Sequence, residues 1–136
     1  DNVLVKLTFA LLFFVFTVSS SFSENSTLSI GSPAPYLELP TLSGSTLSLS
    51  SLKGKPVIIT FYTTWSKSCL NNLKFLKSLQ CKFKNIEIVT VSFDNKSSLV
   101  SSFFAKNNFS FISLIDKKHR YLDDFKILII PMTYLI

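Results

Sequence analysis

Along the 136 residues the apolar positions change their spacing several times, and each change predicts a different element. The first apolar run, Leu7 to Val18 after Lys6, is continuous and has no polar face. S-S-S-F-S follows it, small residues that suit signal-peptidase cleavage around Ser21 or Ser23, so residues 1–23 read as a secretory leader. The run is shorter than the roughly 20 residues of a comfortable membrane span, yet Val3 to Val18 suffices as an anchor in a thinned bilayer. Signal peptide and membrane anchor both stay open, and each places the folded part outside the cytoplasm, which in a bacterial cell means the periplasm.

Polar residues 24–30 form a linker, and residues 31–136 read as one folded domain. G-S-P-A-P, Gly31 to Pro35, predicts an extended entry, because each proline disfavours helix at the residue before it. Thr41 to Ser50 alternates around Gly44 and predicts a hairpin, followed by a turn over Ser51 to Pro56. V-I-I-T-F-Y-T, Val57 to Thr63, is β-branched or aromatic on both faces, the pattern of a central strand in a covered sheet. From Cys69 the spacing becomes helical: Cys69, Leu73, Leu76 and Phe83 make an apolar stripe, with Lys67, Lys74, Lys77 and Lys84 largely off it. This predicts a helix of about four turns. Ile86 to Phe93 is a second strand, Ser97 to Asn107 a second helix, and Phe111 to Ile115 a third strand. Asp116 to Phe125 reads as a turn and short helix, and the final apolar run carries Pro131 at the start of a strand, where the lost ladder donor is tolerated. Strands and helices in alternation imply an α/β fold with a largely parallel central sheet flanked by helices and preceded by a hairpin. The chain opens at Asp1 without methionine and stops at Ile136 inside an apolar run, so both ends are expected to be incomplete, with a C-terminal strand and helix missing.

Composition adds exclusions. Apolar content of 47% with 14 phenylalanines supplies ample material for one core. The formal charge is +6, but the lysines are scattered, the only arginine is Arg120, and no basic run interleaves with stacking aromatics. No nucleic-acid partner is expected, and a membrane is met only through the N-terminal segment. Two cysteines cannot make a disulfide framework, and the single histidine, His119, stands at no metal-ligand spacing to either. No metal and no cofactor is expected. His119 itself sits among Lys117, Lys118 and Arg120 with no acidic or nucleophilic partner in view, and reads as exposed and non-catalytic.

Candidate chemistry concentrates in T-T-W-S-K-S-C, Thr63 to Cys69, where a strand's carboxyl end meets a helix's amino end. With Ser66 as N-cap, Cys69 is the third helical residue, and free backbone N–H groups there favour a thiolate. Trp65 and Leu70 supply an apolar setting that acts the opposite way on a buried thiol. Cys81 cannot pair with Cys69: twelve residues of helix separate them by about 18 Å, while a disulfide needs Cα atoms within roughly 7 Å. Cys81 therefore reads as a small structural residue near a helix end.

Four pieces in this order resemble the thioredoxin fold, and more narrowly the TlpA/ResA-type branch of the redoxin (AhpC/TSA-like) thiol-disulfide oxidoreductases. They are G-S-P-A-P-Y-L-E-L-P with its hairpin, L-K-G-K-P-V-I-I-T-F-Y-T-T-W before the helix, V-S-F-D before an inserted helix, and I-P-M-T-Y-L-I. The resemblance covers Gly31 to Ile136. It implies that Pro131 is cis and lies beside the active-site helix, that Ile130 presents backbone to a substrate, and that Trp65 borders the same groove. It also implies a protein thiol or disulfide as partner.

The site departs from the family pattern W-C-x-x-C. Ser66 occupies the place of the nucleophilic cysteine and only Cys69, the resolving position, remains. A hydroxyl cannot exchange a disulfide, so the two-thiol cycle is excluded. The family's proton-transferring glutamate, three residues after the second cysteine, is Asn72, and its following proline is Lys74. Altered or lost redox activity is the expectation. A peroxiredoxin-like alternative would use Cys69 alone with Ser66 as the hydroxyl three residues earlier. That family's preceding proline is Tyr62 here, however, and its arginine falls near Pro131, not at Arg120. The third reading is a catalytically silent module that keeps the groove for a partner.

Overall fold

The computed structural model describes residues 28–136, so the leader expected over residues 1–23 and most of the linker lie outside the described residues. Six strands and two helices follow. β1 (Glu38–Pro40) and β2 (Thr46–Ser48) pair as an antiparallel hairpin. β3 (Val57–Tyr62), α1 (Lys67–Lys82), β4 (Glu87–Ser92), α2 (Ser97–Asn107), β5 (Ile112–Ile115) and β6 (Met132–Leu135) build the main unit.

The main sheet has the order β5-β4-β3-β6. β3 and β4 run parallel, as do β4 and β5, whereas β6 is antiparallel to β3 with Phe61 opposite Met132 and Ile58 opposite Leu135. The sheet is thus mixed, with a parallel majority. All six β3 side chains are buried, as the unbroken apolar run requires. Because side chains alternate across a strand, β3 serves two cores at once. Val57, Ile59 and Phe61 pack with Val89, Val91 and hairpin residues Leu37 and Leu39 on one face. Ile58 and Tyr62 pack with Ile88 and with Leu73, Leu76, Val100 and Phe104 of the helices on the other. Each such side chain contributes roughly 1.5–3 kcal/mol by leaving water.

Both helices therefore cover the same face. The opposite face is covered by the hairpin, a 3₁₀ turn at Leu49–Leu52, and the chain from Tyr121 to Ile130.

Two local expectations change. The second hairpin arm, β2, lies within the alternating segment around Gly44, but the first, β1, lies before it, because Thr41, Ser43 and Ser45 spend their hydroxyls on one another and on the turn backbone. Thr41 N–H donates to the Ser45 carbonyl at 2.7 Å and Gly44 takes φ +88°, a conformation glycine adopts without strain. The short helix expected within Asp116 to Phe125 does not form. The Asp116 carboxylate instead accepts from the Arg120 and Tyr121 N–H groups, and His119 and Lys126 adopt left-handed φ of 53° and 52°. Successive turns take its place, closed by His119 N–H on the Asp116 carbonyl, Phe125 N–H on the Tyr121 carbonyl and Lys126 N–H on the Asp123 carbonyl.

Candidate functional site

Three elements meet where β3 ends. The chain passes from Tyr62 through Thr63, Thr64 and Trp65 to Ser66, which caps α1. Ser66 has extended φ/ψ of −86° and 122°, and its Oγ accepts from Cys69 N–H at 3.3 Å, while its carbonyl accepts from Leu70 N–H at 3.1 Å. The expected cap is therefore formed, and it occupies the hydroxyl that stands in the nucleophile's place.

Cys69 sits one turn into the helix with 0% of its surface exposed, packed in the core that contains Tyr62 and Leu73. Trp65 is the opposite case, 79% exposed, an aromatic surface held out beside the cap. Cys81 is exposed near the far end of α1, and both cysteines are free. One helix thus holds the two sulfurs apart.

The Ile130–Pro131 bond is cis, and β6 begins at the next residue. Since Met132 is opposite Phe61, Pro131 stands level with Tyr62, next to the loop that leads to Ser66. Ile130 is half-buried and packs against both cores. The structure therefore brings Trp65, Ser66, Cys69, Ile130 and Pro131 to one end of β3. His119 and Arg120 follow β5 in the chain; the His119 ring rests edge-on against Phe93, centroids 5.0 Å apart, with its Nε2 3.1 Å from the Phe93 carbonyl.

Two polar clusters position these parts, and neither was identified from sequence. The first is built on Asp94, buried just past β4. Its carboxylate accepts from Thr64 N–H at 3.0 Å, Thr64 Oγ1 at 2.7 Å and Ser92 Oγ at 2.6 Å. The loop before Trp65 is anchored to the neighbouring strand in this way. V-S-F-D was the only signal, and no spacing in one strand reveals a partner 30 residues away. The second cluster joins Asn72 Nδ2 to Thr60 Oγ1 at 3.0 Å and Thr133 Oγ1 at 3.3 Å, with the two threonine hydroxyls 2.9 Å apart. It ties α1 to β3 and to the strand that follows Pro131.

Tyr62 closes the floor. Its ring stacks near Phe103, and its hydroxyl is buried without a hydrogen-bond partner. Burial, reinforced by the nearby Asp94 charge, pushes the phenol well above its ordinary range. It is a neutral, apolar-facing group at any physiological pH.

The sequence pattern of the AhpC/TSA family matches residues 30–136. The chain belongs to the AhpC/TSA family. This AhpC/TSA chain is similar to the thiol-disulfide oxidoreductase ResA of Oceanobacillus iheyensis, 31% identical over 142 residues that cover 100% of this chain and 73% of that protein. To ResA of Bacillus subtilis it is 30% identical over 117 residues, 85% of this chain and 65% of that protein. Among solved structures it is similar to a putative thiol:disulfide interchange protein DsbE from Chlorobium tepidum, with a TM-score of 0.75, 26% identity, and coverage of 81% of this chain and 79% of that one. The thioredoxin domain of a Bacteroides vulgatus thiol-disulfide oxidoreductase superposes with a TM-score of 0.75 at 23% identity, covering 81% of this chain and 82% of that one, a likeness of fold. The thioredoxin-like fold and the TlpA/ResA-type assignment of this AhpC/TSA chain both stand. Among its described residues no helix is long and apolar enough to cross a membrane, and no cluster of His, Cys, Asp and Glu could hold a metal ion.

Proposed function

We propose that this chain is an extracytoplasmic, thioredoxin-like member of the thiol-disulfide oxidoreductase family that binds a protein thiol or disulfide partner without completing two-thiol exchange. The observation that carries the reading is the pairing of Ser66 and Cys69. The position of attack holds a hydroxyl already committed to capping α1, and the remaining sulfur lies wholly inside the core. Disulfide exchange needs a thiolate that reaches the partner's sulfur, and nothing at this site supplies one. What supports partner binding is the surface that the family resemblance assigns to it: exposed Trp65, the Ile130–Pro131 segment level with Tyr62, and two hydrogen-bonded clusters that anchor Thr64 and Thr133 beside them. Asn72 supports the same conclusion, because its amide serves as a structural tie where the family resemblance puts a titrating acid. The extracytoplasmic location rests on the apolar segment Leu7 to Val18 and the small residues after it.

Alkylation of the native protein with iodoacetamide tests the reading, with exposed Cys81 as the internal standard. Cys81 is expected to react at the rate of an ordinary thiol and Cys69 far more slowly. If Cys69 alkylates faster than Cys81 below a pH of about 8.5, the unperturbed thiol range, the site is a working one-cysteine centre and the binding-module reading is wrong.

A further inference from the structure

A concave surface opens near the carboxyl end of β5. The hairpin turn and the turn after β5 enclose a cavity of about 430 Å³. Leu42 and Ile115 are among its apolar lining, and Lys117, Lys118 and Arg120 stand around it, all three exposed. Asp116 also lines it, but its carboxylate is 1% exposed and both oxygens accept backbone N–H groups, from Arg120 and Tyr121. Three exposed cations, of which Arg120 has its guanidinium 5.9 Å from the Tyr121 ring centroid, thus face one fully committed carboxylate.

This cavity and the Trp65 loop are joined by a continuous line of hydrogen bonds across the carboxyl ends of three strands. Asp116 N–H donates to the Ser92 carbonyl at 2.8 Å, Ser92 Oγ donates to Asp94, and Asp94 holds Thr64. β5, β4 and β3 are successive neighbours in the sheet, and neighbouring strands are about 4.8 Å apart, so two spacings give about 10 Å. An extended peptide spans that with about three residues.

We infer that the cavity docks an acidic segment of the protein partner, with carboxylates roughly three to five residues from the part that lies on Trp65. The cations lie exposed around the opening, an arrangement suited to several carboxylates along a chain. A site for a small anion instead places buried polar groups to converge on it, and the buried polar group here, Asp116, is turned to its own turn. The apolar lining around Leu42 and Ile115 then receives a side chain between the carboxylates. The inference rests on the partner-binding reading above and adds the chemistry of the partner.

Two fluorescein-labelled ten-residue peptides test it by anisotropy with the full chain. They share an apolar half and differ in carrying four glutamates or four glutamines in the other. The glutamate peptide is expected to bind at least tenfold more tightly at low salt, and the difference should shrink toward physiological ionic strength. The Lys117→Gln/Lys118→Gln/Arg120→Gln variant should abolish the difference, while Lys74→Gln/Lys82→Gln/Lys84→Gln, which removes as many charges from α1 and the residues just after it, should preserve it. Equal losses in the two variants would show attraction to net charge alone and overturn the inference. So would equal binding of the two peptides, or displacement by inorganic phosphate at concentrations as low as those of the free glutamate peptide. Trp65→Ala should weaken both peptides alike. If it changes neither while the cationic triple variant still acts, the Trp65 groove reading fails and the acidic docking cleft stands.

Discussion

Asp94 and Thr64 are joined twice, through the Thr64 N–H at 3.0 Å and its hydroxyl at 2.7 Å, and this pair fixes the loop that presents Trp65 and Ser66. A buried carboxylate with three donors is stable only as a complete set. Asp94→Ala leaves the Thr64 N–H, the Thr64 hydroxyl and the Ser92 hydroxyl short of their acceptor, and the expected loss is roughly 2–4 kcal/mol. Thr64→Val removes one hydroxyl and keeps the other two bonds, so about 1 kcal/mol is expected. Urea unfolding with an unchanged m-value checks both, and equal losses would mean that the carboxylate does not organise the cluster.

The cap on α1 makes a separate prediction. Ser66→Ala removes the acceptor for Cys69 N–H and should cost about 1 kcal/mol. Ser66→Asp keeps an acceptor and adds a negative charge at the positive helix end, so it should match or exceed the parent by a few tenths of a kcal/mol. Thermal unfolding of the three proteins gives the order directly. A Ser66→Ala protein as stable as the parent would show that Ser66 is not bound to the helix it starts.

Much of this site was legible from residue spacing because it depends on local rules. β3 follows from a six-residue run that is apolar on both faces, and α1 from a capping serine followed by helical spacing through Cys69, Leu73 and Leu76. Pro131 at the start of β6 follows from the ladder donor that proline lacks. The failures are places where a side chain captured backbone from outside its own element. Asp116 takes two N–H groups that a helix over Asp116 to Phe125 would have used otherwise, and the Thr41, Ser43 and Ser45 hydroxyls build the turn that moves the first hairpin arm back to Glu38–Pro40. Asp94 with Thr64 and Asn72 with Thr133 are 30 and 61 residues apart, so their meeting depends on the order of strands in the sheet. Period and composition carry no such information.

Tyr62 gives the pH dependence a sign. Its phenol is raised in the folded protein by burial and then by the Asp94 charge, from an unfolded value of about 10. Above that pH the unfolded chain releases the proton while the folded one keeps it, so stability falls as pH rises. The contribution is whole below pH 10 and disappears as pH climbs through the folded value. Tyr62→Phe removes a buried hydroxyl that has no partner, so it should be neutral or stabilising by up to about 1 kcal/mol, and it should flatten the alkaline loss. Chemical unfolding at pH 8 and at pH 10.5 would expose the error if the variant proves less stable than the parent at both.

Ser66→Cys places a thiol at the family's point of attack, three residues before Cys69 and one turn from it, a separation a disulfide can bridge. Supplied with a peptide disulfide such as insulin's, the introduced thiolate attacks one sulfur and expels the other chain's sulfur as a thiolate. Cys69 then attacks the mixed disulfide, releasing the second thiolate, so the substrate gains two electrons and the protein's two sulfurs lose them as they join. The fold and exposed Trp65 are already in place, so insulin reduction by the Ser66→Cys variant should exceed that of the parent by at least tenfold. Asn72 does not titrate, so the rate should rise with pH in one step governed by the thiols. Adding Asn72→Glu should change the shape of that profile, because it introduces a carboxyl beside the reacting sulfurs. A Ser66→Cys protein that stays inert while alkylation reaches both sulfurs would mean that this groove no longer positions a disulfide, and the ancestry of the site would then say nothing about what it holds.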